Sequence, residues 1–552
     1  MSEETQVSAK ISKYIKIQKL VPVFLVIQVI FYFFGLYGRM PDIDDAWIGE
    51  HAYWMAETGH AKSELMRGWQ HQEERILIHH KLMTLTGFLV IKSLGFSLYG
   101  LKSVSLLFFG LFLLTFYYYG RKNPGKLTRD QFMLSLLIFF LFHYTFKFSF
   151  IFRPEIIIMF FTFTSYILLE KGLNDNNNEN DGTKIPLPVG ERNEMKPNHQ
   201  EMYQVKGKIA NRRSQWIYFF IAGILSGLCG VAHLNGLAVA LAGSTLLLLN
   251  KKARVLPIFV FGSILGFSLY FYDFSRQYGF PFWKQQLFQS VLGTNGGTND
   301  VIRYMTNSFL KEHMRFFHDL SIIGFSLLLI LVLLAGYKYL LKTRRTMLQY
   351  SLILWLIVAF LFTQKSRQYI LIYLPFLVIF ITTVLDKFLK GETGLKDWIY
   401  SLTGRIVLFL TVTVFLIGST LFNIKVSSKK FNPIDNRNFV MNHIGNDVSS
   451  LKIVAPMEFI FNEIVHFKSI QGERLYTTLQ HSDSTIYGEG FFRKASDFDV
   501  DYILLSGVYR ENLGVTSLDN NKIYSGYKLL LDTGELSLYK RLGSTERSNA
   551  SE

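Results

Sequence analysis

The chain has 552 residues, of which 49% are hydrophobic and 16% aromatic, and its formal net charge is +16. That apolar content excludes an ordinary soluble enzyme, and the single cysteine, Cys229, excludes an intrachain disulfide. Because much of the basic excess lies beside apolar runs long enough to cross a bilayer, it indicates membrane topology and lipid contact rather than nucleic-acid binding.

Apolar runs recur along the first 425 residues and predict a polytopic α-helical membrane protein. They lie near residues 18–38, 76–95, 100–120, 131–150, 152–170, 215–232, 234–250, 254–273, 319–340, 347–363, 367–387 and 401–424. The run at 76–95 contains two histidines and two lysines. We interpret it as a juxtamembrane or re-entrant helix, which leaves about 11 full spans.

The predicted transmembrane domain covers residues 1–425. Its hydrophilic segments are a first outer loop at 39–98, a disordered cytoplasmic loop at 172–214 and a second outer loop at 274–318. Residues 426–552 have the composition of a soluble domain. In that region LKIVA, DYILLSG, YKLLLD and ELSLYKR are typical of strands and MEFIFNEIVHF of a helix, so a small α/β domain is expected.

The predicted orientation follows from the basic residues, which favour the cytoplasmic side. Four lysines lie before or at the start of the first run, and YKYLLKTRR and DKFLKGETGLK are rich in basic residues. These segments should lie inside, so both outer loops and the C-terminal domain should lie outside. We expect a multi-pass integral protein of the bacterial inner membrane.

Under this topology several polar clusters meet on the outer face, where charged residues at membrane depth are costly and usually functional. They are Asp44 with Asp45, His79 with His80, FRPE (152–155), AHLNG (232–236), the loop 274–318 and QKSRQY (364–369). Acids and cations around one outward cavity are what an active site requires.

A carboxylate at this boundary can act as general base on a hydroxyl group. A lipid phosphate leaving group needs no general acid, but its charge needs cations such as Arg153, Lys365 or Arg367. The residues therefore favour transfer from a lipid-phosphate donor. A transporter with a buried acid–base relay fits the same residues.

The stretch PDIDDAWIGEHAYWMAETGH, residues 41–60, resembles the first outer loop of the GT-C polyprenyl-phosphate-dependent glycosyltransferases. Among these, the protein O-mannosyltransferases and the lipid A aminoarabinose transferases are the most similar. The resemblance covers roughly residues 18 to 390. It aligns Asp44 with the catalytic aspartate of the family and Asp45 with its acidic neighbour.

Other family landmarks follow in order. His79 matches a basic position, although the prolines that follow it in the family are missing here. Glu155 of FRPE stands where the family has a later aspartate. Lys365, Tyr369 and Pro375, in FTQKSRQYILIYLPFL, match a segment that helps to hold the lipid phosphate.

The resemblance implies an inverting glycosyltransferase that uses a polyprenyl-phosphate sugar donor and an acceptor lipid, polysaccharide or protein. Asp44 and Asp45 would be catalytic. Donor phosphate binding would fall to Arg153, Lys365, Arg367 and Tyr369, and substrate positioning to His79, Glu155 and Trp54. We expect no required cofactor and no metal, because the second outer loop reads PFWKQQLFQSVLG and lacks the family's metal-binding histidine.

Structural alternatives remain for each residue. An aspartate before a helix is often an N-cap, Arg153 and Glu155 can form an internal ion pair, and Trp54 can belong to an interfacial belt. For the whole chain, the alternatives are a transporter or flippase of lipid-linked sugar and a non-catalytic relative.

Overall fold

A computed structural model describes residues 21–34, 39–78, 80–122, 126–174, 197–287, 301–362, 366–445, 447–515 and 523–543, apart from the side chains of 197–214 and 301–304. Helices make up the part before residue 429, and a small mixed α/β domain follows it. The predicted fold class is confirmed.

The helices of the first part are numbered in chain order. They are α1 (Val21–Phe34), α2 (Ile43–Thr58), α3 (Lys81–Leu94), α4 (Leu98–Tyr117), α5 (Arg129–Leu141), α6 (His143–Phe148), α7 (Glu155–Asn174), α8 (Pro197–Ala232), α9 (Leu237–Leu249), α10 (Leu256–Ser268), α11 (Phe280–Leu287), α12 (Val301–Leu310), α13 (His313–Phe316), α14 (Leu320–Thr343), α15 (Arg345–Leu361), α16 (Leu374–Lys390) and α17 (Leu402–Ser428). Two 3₁₀ turns, Leu234–Gly236 and Arg367–Ile372, lie near the predicted site.

Five segments of the described residues are helices long and apolar enough to cross a membrane: Leu98–Arg121, Glu155–Asn174, Gln215–Ala232, Leu320–Thr343 and Leu402–Ser428. Four shorter apolar helices accompany them. The protein is therefore a multi-pass membrane protein, and the expected count of about 11 spans is not confirmed. Helices α3, α5 and α16 are in neither group, so the interpretation of α3 as a juxtamembrane or re-entrant helix stays a prediction.

Two boundaries differ from the sequence-based expectation. Helix α8 begins at Pro197, inside the segment predicted as a disordered loop. A proline is favoured in the first turn of a helix, and the Glu, Gln, Lys and Ala residues that follow are good helix formers. The run at 131–150 is divided between α5 and α6, which meet at Phe142 in an extended conformation.

Glycine permits a close approach between two helices, α8 and α10. A Cβ atom at Gly223 would lie 2.2 Å from the carbonyl oxygen of Phe259, and one at Gly266 would lie 2.2 Å from that of Ile224. Lipid gives no hydrophobic driving force between helices, so contact between their backbones is a main source of their association.

The C-terminal domain holds a six-stranded sheet. Its strands are β1 (Lys452–Ala455), β2 (Ser469–Gly472), β3 (Tyr502–Ser506), β4 (Ile523–Tyr524), β5 (Tyr527–Asp532) and β6 (Leu536–Arg541), in the order β2-β1-β3-β6-β5-β4. Strands β1, β2 and β3 are parallel, and the rest pair antiparallel. The four strands expected from the sequence are present, whereas MEFIFNEIVHF forms only short helical turns.

This domain contacts the first outer loop. The backbone N–H of Gly472, at the end of edge strand β2, donates to the carbonyl of Leu65 at 3.0 Å. Glu50, on α2, accepts from the backbone N–H groups of Glu64 and Leu65 at 2.7 and 3.1 Å. Because the loop is bonded on both sides, the tail domain and helix α2 are held together through it.

Candidate active site

Helix α2 presents the acidic pair, and its cap determines which acid is structural. Asp42 is the N-cap, and its side chain accepts from the backbone N–H of Asp44. Asp45 occupies the third helical position, and its carboxylate accepts from the backbone N–H of Asp42 at 2.7 Å. This second bond completes a capping box. Capping thus involves Asp42 and Asp45, and the Asp44 carboxylate serves neither side of the box.

Asp45 is fully buried. Its carboxylate also accepts from the backbone N–H of Phe152 at 2.5 Å, so it ties α2 to the FRPE segment. Burial raises the pKa of Asp45 to about 6, although Lys102 and the backbone bonds oppose that change. These contacts give Asp45 a structural function, and its predicted catalytic role stays a prediction.

Asp44 forms an ion pair with Arg153 across the site. The same guanidinium binds Glu155 through two nitrogens, with Nη2 2.8 Å and Nε 3.2 Å from its carboxylate oxygens. Glu155 is buried, while the Asp44 side chain keeps 24% of its accessible surface. Burial alone would lower the pKa of Arg153, but Glu155 and Asp44 outweigh it and raise that pKa above its usual range.

This arrangement makes Asp44 the partly exposed carboxylate of a three-member chain. Nearby, Lys147 pairs with Asp42 at 3.0 Å. The predicted residues Asp44, Arg153 and Glu155 are thus brought together.

Tyr369 lies in the 3₁₀ turn before α16 and is buried. Its hydroxyl is 2.9 Å from Nε2 of His233, within the predicted AHLNG cluster. The charges of Glu155 and Arg153 act on this phenol, which places Tyr369 within electrostatic range of the Asp44 chain.

Arg315 is the principal residue that sequence reasoning missed. It is fully buried, its Nε lies 3.0 Å from Glu312, and its guanidinium carbon lies 5.7 Å from the ring centroid of Tyr369. In the described structure neither Nη1 nor Nη2 has a hydrogen-bond partner. Unsatisfied donors on a buried cation are costly, so they identify a place for an anion.

The remaining predicted residues have other contacts or fall outside the described residues. Arg367 contacts His318, and its charge acts on Tyr144. Trp54 donates to Glu50 at 2.9 Å and lies ten residues after Asp44, about 15 Å along the helix axis. His79 and Lys365 fall outside the described residues, so their predicted roles stay predictions.

Lys81 is a second residue that sequence reasoning did not select. It begins α3, is buried and pairs with Asp273 at 3.2 Å. Burial lowers the pKa of Lys81 to about 8, although Asp273 opposes the change. The pair joins α3 to the residue that immediately precedes the second outer loop. In the sequence Lys81 follows His79 and His80, so the three residues form one basic group in which Lys81 does not stand out.

The described residues include one group that could hold a metal ion, formed by His71, Glu73 and Glu74. His71 and Glu74 are exposed, and the group lies on the first outer loop. The absence of a required metal stays a prediction.

No protein-family model matches the chain, and neither does any curated protein. Among solved structures, ArnT from Cupriavidus metallidurans bound to undecaprenyl phosphate is similar at a TM-score of 0.55 and 10% identity, over 95% of this chain and 98% of that one. The apo state of ArnT is similar at a TM-score of 0.52 and 10% identity, over 94% and 97% of the two chains. The resemblance proposed from residues 41–60 is therefore confirmed at the level of fold: this chain has the fold of the GT-C glycosyltransferases.

Proposed function

We propose that the protein is an inverting glycosyltransferase, which moves a sugar from a polyprenyl-phosphate donor to an acceptor hydroxyl at the outer face of the membrane. The observation that carries the proposal is the chain Asp44–Arg153–Glu155 together with the buried Arg315, which lies against Tyr369. This arrangement combines an accessible base, Asp44, with a cation, Arg315, that has unused hydrogen-bond donors. The fold is shared with a protein solved with undecaprenyl phosphate bound.

In the proposed reaction the acceptor oxygen attacks the anomeric carbon, and Asp44 takes the hydroxyl proton. The bond between the anomeric carbon and the phosphate oxygen breaks, and the polyprenyl phosphate leaves with its electron pair. Attack opposite the leaving group inverts the anomeric centre. Asp44 suits this task because it is the accessible acid of the chain.

Arg315 and Tyr369 would bind the phosphate. Arg315 offers two unused nitrogens, and charge-assisted bonds to phosphate are about twice as strong as neutral ones. Arg153 receives a different role from the one expected from the sequence. Its nitrogens already bind Asp44 and Glu155, so we propose that it orients the base, with Glu155 fixing its position.

The direct test supplies purified protein with radiolabelled polyprenyl-phosphate sugars and a membrane extract. We expect label to pass into a protein, lipid or polysaccharide fraction, and the recovered product to have the opposite anomeric configuration from the donor. Movement of intact labelled donor across a vesicle membrane, with no labelled product, would replace this proposal with a flippase.

A further inference from the structure

The imidazole of His233 contacts the hydroxyl of Tyr369. Helix α8 ends at Ala232, and the 3₁₀ turn Leu234–Gly236 follows it, with His233 as its N-cap. Nε2 of His233 lies 2.9 Å from the tyrosine oxygen.

The other ring nitrogen of His233 reveals its tautomer. The backbone N–H of Asn235 donates to Nδ1 at 3.1 Å, and a backbone N–H can only donate. Nδ1 therefore carries a lone pair, and the neutral imidazole has its proton on Nε2. His233 is then the donor in its bond with Tyr369.

This polarity controls where the tyrosine proton points. A phenolic oxygen accepts through its lone pairs and donates through its single O–H. His233 supplies a donor to the oxygen of Tyr369, so the tyrosine's own hydrogen must point away from the imidazole. The ring of His80, 5.1 Å from that of His233, packs beside the imidazole.

We propose that His233 is a positioning residue, which fixes the hydroxyl of Tyr369 as a hydrogen-bond donor toward the phosphate of the lipid-linked substrate. The inference rests on the proposed function, because it needs an anion beside Tyr369. A donor oriented in advance does not have to reorganise when charge develops on the leaving group.

A purely structural role for His233 makes a different prediction. The residue also caps the turn 234–236, so any substitution that removes the cap could disturb the fold. Two variants separate these roles. In His233→Asn the short side chain can still accept from the Asn235 N–H but falls short of Tyr369. In His233→Gln the longer amide can donate to Tyr369 but gives up the cap.

The experiment measures undecaprenyl phosphate binding to the full-length protein, together with kcat and KM for the donor. We expect His233→Asn to keep the wild-type melting temperature and to weaken binding and raise donor KM about tenfold. His233→Gln should lose thermal stability but bind more tightly than His233→Asn. In a Tyr369→Phe background the effect of His233→Asn on binding should disappear, because no hydroxyl is left to orient.

Wild-type binding by His233→Asn, or an equal loss in the Tyr369→Phe background, would overturn the positioning role. The proposed function fails separately, if the wild-type protein binds undecaprenyl phosphate but transfers no sugar from any polyprenyl-phosphate donor.

Discussion

Buried charged groups differ in their hydrogen-bond partners between the two ends of the helical bundle. At one end Asp386, at 3% exposure, accepts from Thr128 at 3.2 Å, Gln131 at 3.1 Å and Lys390 at 2.8 Å. There Glu170 pairs with Lys126 at 2.8 Å. At the Asp44 end, about 22 Å away by the 15 residues between Glu155 and Glu170, the guanidinium of Arg315 keeps two nitrogens without partners.

The difference separates a charge that holds helices together from a charge that awaits a ligand. At Asp386 three hydrogen-bond donors offset the free-energy cost of removing the carboxylate from water. Arg315 pairs with Glu312 through its Nε, but both Nη nitrogens are buried without partners, and the cost of burying them falls when an anion binds. Burial alone therefore does not identify the site, whereas the missing partners do.

The largest effect expected at the Asp44 end concerns the base. Asp44→Asn should lower kcat by at least about 10²-fold, because the amide cannot accept the acceptor's proton. Initial rates at saturating donor measure this loss. Asp42→Asn is the matched control, since asparagine caps a helix as well as aspartate and should leave the rate within a few-fold of wild type. Near wild-type turnover in Asp44→Asn would exclude it as the base.

The next effect concerns donor binding. Arg315→Gln should raise the donor KM about 30-fold, as expected for the loss of charge-assisted bonds to phosphate. Kinetics at varied donor and fixed acceptor measure it. Lys390→Gln removes a cation from the opposite end and should leave the donor KM unchanged. If both variants change KM alike, the effect arises from general destabilisation and the contrast between the ends is lost.

A third expectation concerns the tail domain, where Glu473 is buried and accepts from the backbone N–H of Ser506 at 2.9 Å. Burial raises the pKa of Glu473 to about 8, from an ordinary value near 4.5. A raised pKa means that the folded state binds more protons, so stability falls as pH rises from about 5 to 8, by up to about 1.4 kcal/mol per pH unit.

Thermal unfolding of the full-length protein across that interval checks the tail-domain prediction. Glu473→Gln should flatten the pH dependence of the melting temperature. The control Glu489→Gln, at an exposed helix position, should leave that pH dependence unchanged. An unchanged slope in Glu473→Gln would assign the pH dependence to other groups.

The smallest effect is expected at the other end. Asp386→Asn should destabilise the bundle by about 1–2 kcal/mol, since the amide keeps some hydrogen bonds but loses the ion pair with Lys390. Melting temperature should fall, and kcat and donor KM should stay at wild-type values. A selective change in donor KM at full stability would show that this end also takes part in binding.

Sequence patterns predicted what depends on local order. The apolar runs predicted the helices, and the alternation of apolar and polar residues in the tail predicted four of its strands. The pattern of residues 41–60 identified Asp44 as a candidate. The N-cap is Asp42 and not a member of the acidic pair Asp44–Asp45, because the helix begins at Ile43. Asp42 forms the capping box with Asp45.

Long-range packing accounts for what was missed. Arg315 is one of several basic residues in its loop, and only tertiary contacts make it the buried one beside Tyr369. The contact between His233 and Tyr369 joins residues 136 positions apart in sequence, so no local pattern could have shown it. The expected span count was not confirmed, since many apolar runs form helices shorter than a membrane crossing.

The most direct test of the contrast between the two ends is photocrosslinking with a diazirine-bearing undecaprenyl phosphate, followed by mapping of the labelled peptides. The account predicts labels in the segments 232–236, 313–316 and 367–374, with loss of that labelling in Arg315→Gln and retention in Lys390→Gln. Labels confined to the segments 126–131 and 386–390, or labelling that is unchanged in Arg315→Gln, would contradict it.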